Sequence, residues 1–217
     1  MHLEPPAQAP QSLKDFAKHY LMIVLGILTA VGIEQAIEAA HHRELAAQAT
    51  AHIEEELRSN LREARSVLAD NEKRMTALKA AEAAVENDAR QKDTSIETYR
   101  ARLGSIRVGV GMPALRRDAW DAAIASQALT YVEAGKVRRY SEGYSAQRDV
   151  TETLIASSDL GNWPGLLTSA NVDAKLGKVD HAAFLKALAT YDLSLASTLG
   201  NERELVQALS AAVGEQR

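Results

Sequence analysis

From His19 to Ile33 the chain contains no Asp, Glu, Lys or Arg, and from Ile33 to Leu103 it contains neither glycine nor proline. An apolar run that passes without a breaker into a charge-rich helix leaves few folding solutions. The greasy part must be covered by lipid or protein while the charged part stays in water. Spanning a bilayer core about 30 Å thick takes roughly 20 apolar residues, and the uncharged run of about fifteen is shorter than that. Phe16, Ala17 and Tyr20 lengthen it on one side and Ala36, Ile37, Ala39 and Ala40 on the other, with Lys18 able to reach the headgroups along its own stem. Residues 16–40 are therefore expected to form a transmembrane helix behind a short tail, 1–15. The rival readings are a buried helix of a soluble protein and a cleaved leader ending near Ala30-Val31-Gly32. The helical pattern runs through that cut without a turn residue, which argues against cleavage.

Lys14 and Lys18 precede the segment and Arg43 follows it, so the positive-inside rule leans toward a cytoplasmic amino terminus by one charge. Gly26 and Ala30 have the small-xxx-small spacing that lets two membrane helices approach closely. Glu34 and Glu38 fall at the far interface. An ionisable group near lipid is costly and suggests an ion-linked role when it lines a pore, although a terminal glutamate can also reach water.

The balance of 25 Lys and Arg against 29 Asp and Glu, with no basic stripe, speaks against nucleic acid as a partner. The absence of cysteine excludes disulfides, thiolate metal sites and a cysteine nucleophile. Alanine is abundant, aromatics make up only 5% of the chain, and period-two apolar alternation is nearly absent. These features predict an all-α fold.

Beyond the span, Leu57, Leu61, Ala64, Leu68, Asn71, Met75, Leu78, Glu82, Val85 and Ala89 recur at alternating steps of four and three. That is the rhythm of a narrow buried seam, with Asn71 and Glu82 as polar interruptions. Residues 41–93 are expected to form a long coiled-coil-like stalk. Its seam is open either to another chain or to the remainder of this one, 94–217, folded as an antiparallel helical bundle. Glu54, Glu55 and Glu56 with Arg58, Arg62 and Arg65 read as a solvated, salt-bridged face.

Thr94-Ser95-Ile96-Glu97 and Thr130-Tyr131-Val132-Glu133 have capping-box spacing, Pro113 suits a first helical turn, Gly161 to Gly165 reads as a breaker, and Asp180 reads as a cap. The last helix carries the stripe Phe184, Leu188, Tyr191, Leu195, Leu199, Val206, Leu209 and Val213, with Gly200 as a weak point. Five or six helices are expected in all.

No catalytic signature emerges. Glu38 and His41 have the Glu-x-x-His spacing of di-iron bundles but lack the required second copy. His41, His42 and His52 are candidates for a pH sensor. Gly109 and Gly111 lack the lysine of a phosphate loop and read as a turn, and no elbow motif surrounds any serine. Trp120 and Trp163 read as core residues rather than ligand-stacking platforms. The chain is read as a non-enzyme without cofactor or metal.

The block Leu21-Met-Ile-Val-Leu-Gly-Ile-Leu-Thr-Ala-Val-Gly-Ile-Glu-Gln-Ala36, followed by a charged helix, resembles the amino-terminal part of a group of uncharacterised bacterial proteins with one membrane span. A second echo is Ala119-Trp-Asp-Ala-Ala-Ile-Ala-Ser-Gln-Ala-Leu129 with Tyr140 and Tyr144 after it, Gln127 standing where glycine is common in that group. The resemblance implies a single-pass topology and carries no functional residues. The expected protein is a membrane-anchored helical scaffold in a bacterial inner membrane, its bundle periplasmic. It would contact lipid and act as a homo-oligomer or as an accessory subunit of a larger complex. The alternative is an oligomeric pore or ion-linked component using Glu34 and Glu38.

Overall fold

A computed structural model describes residues 13–93, 95–157 and 162–215. These residues are all-α, with six helices, one 3₁₀ turn and no strand among them. Helix α1 runs unbroken from Leu13 to Arg90, roughly 115 Å at 1.5 Å per residue. It ends three residues before the limit expected for the stalk, 93. The Gln91 and Asp93 N–H groups take the Asn87 and Asp88 carbonyls, and Lys92 turns the chain at a positive φ of 54°.

Helix α2 (Ile96–Ser105) doubles back, capped by Ser95, whose Oγ accepts the Thr98 N–H at 3.2 Å. Thr94, expected as the cap, lies outside the described residues. Arg102 closes the hairpin onto Asp88 of α1 at 2.8 Å, and this hydrogen-bonded guanidinium holds the Asp88 carboxyl below its ordinary range.

Residues 106–117 form no regular element, and Pro113 lies inside them; the helix expected to begin there, α3 (Asp118–Ala125), starts later. The reason is tertiary. The first turn of α3 is anchored by α1, Glu56 Oε2 accepting the Ala119 N–H at 3.0 Å. Gln127 then adopts the left-handed conformation at φ 60° and leads into a 3₁₀ turn, Ala128–Tyr131. That backbone suits glycine best. Thr130 is absorbed into this turn, so it caps nothing. Helix α4 (Ala134–Ser157) begins instead with the Glu133 carbonyl accepting the Val137 N–H.

Helix α5 (Trp163–Lys175) has Pro164 in its first turn. Gly161 and the side chains of Leu154 and Ile155 lie outside the described residues. Asp180 caps α6 (His181–Ala212), accepting the Ala183 N–H at 2.9 Å, and Gly200 passes within the helix without ending it.

Taking α1 as ascending from its amino terminus, the bundle runs up, down, up and down. Helix α2, residues 106–117, α3 and the 3₁₀ turn form the descending second column. Helices α4 and α5 rise as the third column, and α6 returns as the fourth. The antiparallel pairing of α6 with α1 is pinned along its length. His181 meets the Asp93 carbonyl at 2.7 Å, Asp192 meets Lys79 at 2.7 Å, and Arg203 meets Glu72 at 2.9 Å. Beyond α6, Glu215 meets Arg65 at 2.7 Å.

Two apolar clusters fill the interior. The lower one joins Ile53, Leu57, Leu61 and Ala64 to Trp120, Tyr144 and Leu209, and the upper joins Leu78 and Val85 to Trp163, Phe184, Leu188 and Leu195. The seam of α1 is thus closed by its own chain. Leu57, Leu61, Ala64, Asn71, Leu78 and Val85 are buried, while Leu68 and Met75 are half-buried beside them. Trp120 and Trp163 pack against Tyr144 and Tyr191 inside these clusters.

Helices α4 and α6 approach closely at Gly143, where an added Cβ would lie 2.8 Å from the Ala212 Cβ. Neither atom can swing away, because each is fixed directly to a helix backbone. Gly143→Val is expected to force the helices apart and cost about 2–3 kcal/mol, measured by chemical denaturation of the detergent-solubilised chain.

Candidate functional site

One helix, α1, is long and apolar enough near its amino-terminal end to cross a membrane, and none of its apolar window is buried against protein. Leu21, Ile23, Leu25 and Leu28 are each more than 60% exposed. Gly26, Ala30, Glu34 and Glu38 follow one another at steps of four along this helix, so they form a single ridge on its surface. Gly26 leaves open space, with nothing within 4 Å of an added Cβ. The ridge continues to His42, whose Nε2 lies 3.9 Å from Glu38 Oε1. Glu38 therefore approaches His42 rather than His41, and no group of three or more His, Cys, Asp or Glu able to hold a metal exists among the described residues.

His42 stacks flat on Tyr131 of the 3₁₀ turn, with ring centroids 3.8 Å apart at 12°. Just above this contact, an open groove of about 630 Å³ separates α1 from α3. Alanines form much of its lining, including Ala49, Ala119, Ala122 and Ala123, and His52, Glu55, Arg62 and Arg116 are among its polar groups. Of the three histidines, His42 faces the turn, His52 lines the groove and His41 is exposed, so no common site gathers them.

The deepest polar chemistry lies higher, where α1 holds residues 106–117. Asn71 donates to the Gly111 carbonyl at 3.0 Å and accepts the Gly111 N–H at 2.9 Å. Asn60 repeats this with Arg116, at 2.7 and 3.0 Å. The two amides are eleven residues apart on a helix, roughly 16 Å, which matches five residues of extended chain at about 3.3 Å each. That match sets residues 111–116 antiparallel to α1. Gly111 is needed for the close approach, since a Cβ there would sit 3.2 Å from Asn71 Oδ1. Tyr191 of α6 ties down the other end, donating to the Gly109 carbonyl at 2.7 Å. The two glycines thus serve a clamped segment rather than a simple turn.

Asn71 also donates to Glu202 Oε1 of α6 at 2.7 Å. Glu202 is 1% exposed and its other oxygen has no partner among the described residues. Burial raises its pKa to about 7, the Asn71 bond opposing that rise.

Lower in the bundle, Tyr140 donates to Glu54 at 2.8 Å and Tyr144 to Glu56 at 2.6 Å. Burial, reinforced by the facing carboxylates, raises both phenols, and the bond from Tyr140 lowers Glu54. The acidic triplet is therefore not wholly a solvated face. Glu55 stays exposed and Glu54 pairs with Arg58 at 2.8 Å as its spacing predicts, but Glu54 and Glu56 also receive the core tyrosines.

Glu202 and Asn60 escaped the sequence reading. Their partners lie 131 and 56 residues away, and no spacing rule reaches that far. The eleven-residue interval from Asn60 to Asn71 was the one local signal. Comparison with family models, with curated proteins and with solved structures gave no match.

Proposed function

We propose that the chain is a single-pass membrane-anchored helical protein that works through protein contacts, as a homo-oligomer or as an accessory subunit of a larger membrane assembly. The carrying observation is the uncovered apolar stretch of α1, continuous by one unbroken helix with the core of the bundle. Protein covers none of that window, so lipid or a partner helix is its natural environment. Because α6 fills the seam, the open packing surface on α1 is the anchor ridge at Gly26 and Ala30. The one-charge excess before the span supports a cytoplasmic amino terminus, with the bundle on the periplasmic face of a bacterial inner membrane.

The native chain has no cysteine, so Ala30→Cys introduces a unique thiol into the anchor. In membranes it is expected to give an oxidative cross-linked dimer, and Gly26→Ile in the same chain is expected to reduce that product several-fold. A chain purified in mild detergent as a lone monomer with no companion would overturn the assembly reading. Extraction by alkaline carbonate would overturn the anchor itself.

A second reading draws on the shared ridge. Self-association through Gly26 and Ala30 would gather Glu34 and Glu38 of neighbouring copies, as an ion-linked component requires. Loss of proton or cation flux in Glu34→Gln vesicles is its expected signature, and a wild-type chain without flux would reject it.

A further inference from the structure

We propose that the foot of the bundle, formed by the 3₁₀ turn and the adjoining ends of α3 and α4, rests on the bilayer surface beside the anchor, with Ile124 and Tyr131 in the headgroup layer. This inference rests on the anchor reading above and adds a second, peripheral contact with lipid.

The height of the foot is set by the Tyr131–His42 stack, 3.8 Å between centroids. His42 comes two residues after Ala40, where the apolar stretch ends, a rise of roughly 3 Å along the helix axis. The headgroup layer on each side of a bilayer is about 5–8 Å thick, so Tyr131 stands within it whenever residues 16–40 occupy the core. The bundle is therefore not carried away from the membrane on a bare stalk. Helix α1 is buried by its own chain from Ala49 onward, little more than two turns above the same point.

The side chains at the foot suit that layer. Tyr131 is 44% and Ile124 50% exposed. A tyrosine with an apolar body and a polar tip is enriched at this depth of a membrane. Arg138 and Arg139 are exposed in the first turns of α4, and Arg43 is exposed on α1 one residue past His42. Arg138 is held only loosely by Glu142, at 3.9 Å with both side chains largely in water. These guanidiniums are available to lipid phosphates as bidentate donors. Glu44 and Glu133 are exposed beside Arg43 and just before α4 in the chain, Glu44 accepting from Gln48, so the contact is apolar and phosphate-directed rather than a response to bulk negative charge. Seating the foot also fixes the bundle's rotation about α1 and holds the groove between α1 and α3 directly above the headgroups.

The lack of native cysteine permits single spin labels on the full-length chain in phospholipid vesicles. Labels at Ile124→Cys and Tyr131→Cys are compared with Ile37→Cys in the span and Lys175→Cys at the far end of the bundle. The expected result is an oxygen-to-nickel-chelate accessibility ratio at 124 and 131 several-fold above that at 175 and below that at 37. Placing Tyr131→Glu in the Ile124→Cys chain is expected to return the 124 label to the value at 175, with helix content unchanged. A lipid-embedded label at 37 with water-like labels at 124 and 131 overturns the seating and leaves the anchor intact. A water-like label at 37 overturns the anchor, and the seating with it. A 124 label shielded from both reagents would mean that protein, such as a second copy, covers the foot, and would also overturn the proposal.

Discussion

Asn71→Ala is expected to destabilise the bundle by about 3–4 kcal/mol, the largest single-residue effect outside the apolar core. The residue is fully buried and its amide serves three partners at once: the N–H and carbonyl of Gly111 and the carboxyl of Glu202. Truncation deletes those bonds and leaves each partner to find another, at about 1–3 kcal/mol for a buried group and less where water can enter beside the half-buried Gly111. Asn60→Ala releases only Arg116, and about 1–2 kcal/mol is expected there. Denaturant titration of the solubilised full-length chain, followed by circular dichroism, provides the comparison. A loss below about 1 kcal/mol at Asn71 would mean that the clamp contributes little to holding residues 106–117 on α1.

The second large effect is a pH dependence that Glu202→Gln removes. Burial raises the folded pKa of Glu202 from 4.5 to about 7. Below pH 4.5 the carboxyl is protonated whether the chain is folded or not, and the native state carries no penalty. Between 4.5 and about 7 the unfolded chain gives up its proton while the folded chain retains it, so stability falls with rising pH. Above about 7 both forms are ionised and the loss levels off. The shift corresponds to about 3 kcal/mol. Asp88 and Glu54, whose folded pKa values are lowered, contribute the opposite slope in acid. The difference between Glu202→Gln and the parent isolates the glutamate: it should grow in favour of the variant by about 3 kcal/mol from pH 4.5 to pH 8. A flat difference would mean that the carboxylate finds water or a cation inside the bundle. Because Asn71 and Glu202 touch, the double variant should cost less than the sum of the two single ones.

Much of the helical architecture was legible from local signals. The breaker-free stretch made α1 a single helix, and the cap at Asp180 and the stripe from Phe184 to Leu209 described α6. The helix starts that failed were those another element controls. Pro113 sits in a segment clamped by Asn60 and Asn71, and Thr130 was drawn into the turn that Gln127 opens with a left-handed backbone. The Asn71 interruption of the seam was visible in the heptad, yet its meaning was not, since both partners come from distant parts of the chain. The same holds for Glu54 and Glu56, which on a helical wheel look like any exposed acid and in the bundle receive Tyr140 and Tyr144.

The sequence by itself determined where helices run and which stretch is too apolar for water, because periodicity, breakers and hydropathy act over a few turns of chain. Only the tertiary structure decided what fills the seam and how residues 106–117 lie along α1. It also decided that Glu202 is sealed from solvent and that Tyr131 is brought down to His42, just past the apolar stretch of α1. Those outcomes depend on pairings between residues from about 40 to more than 130 positions apart, and local propensity holds no information about them.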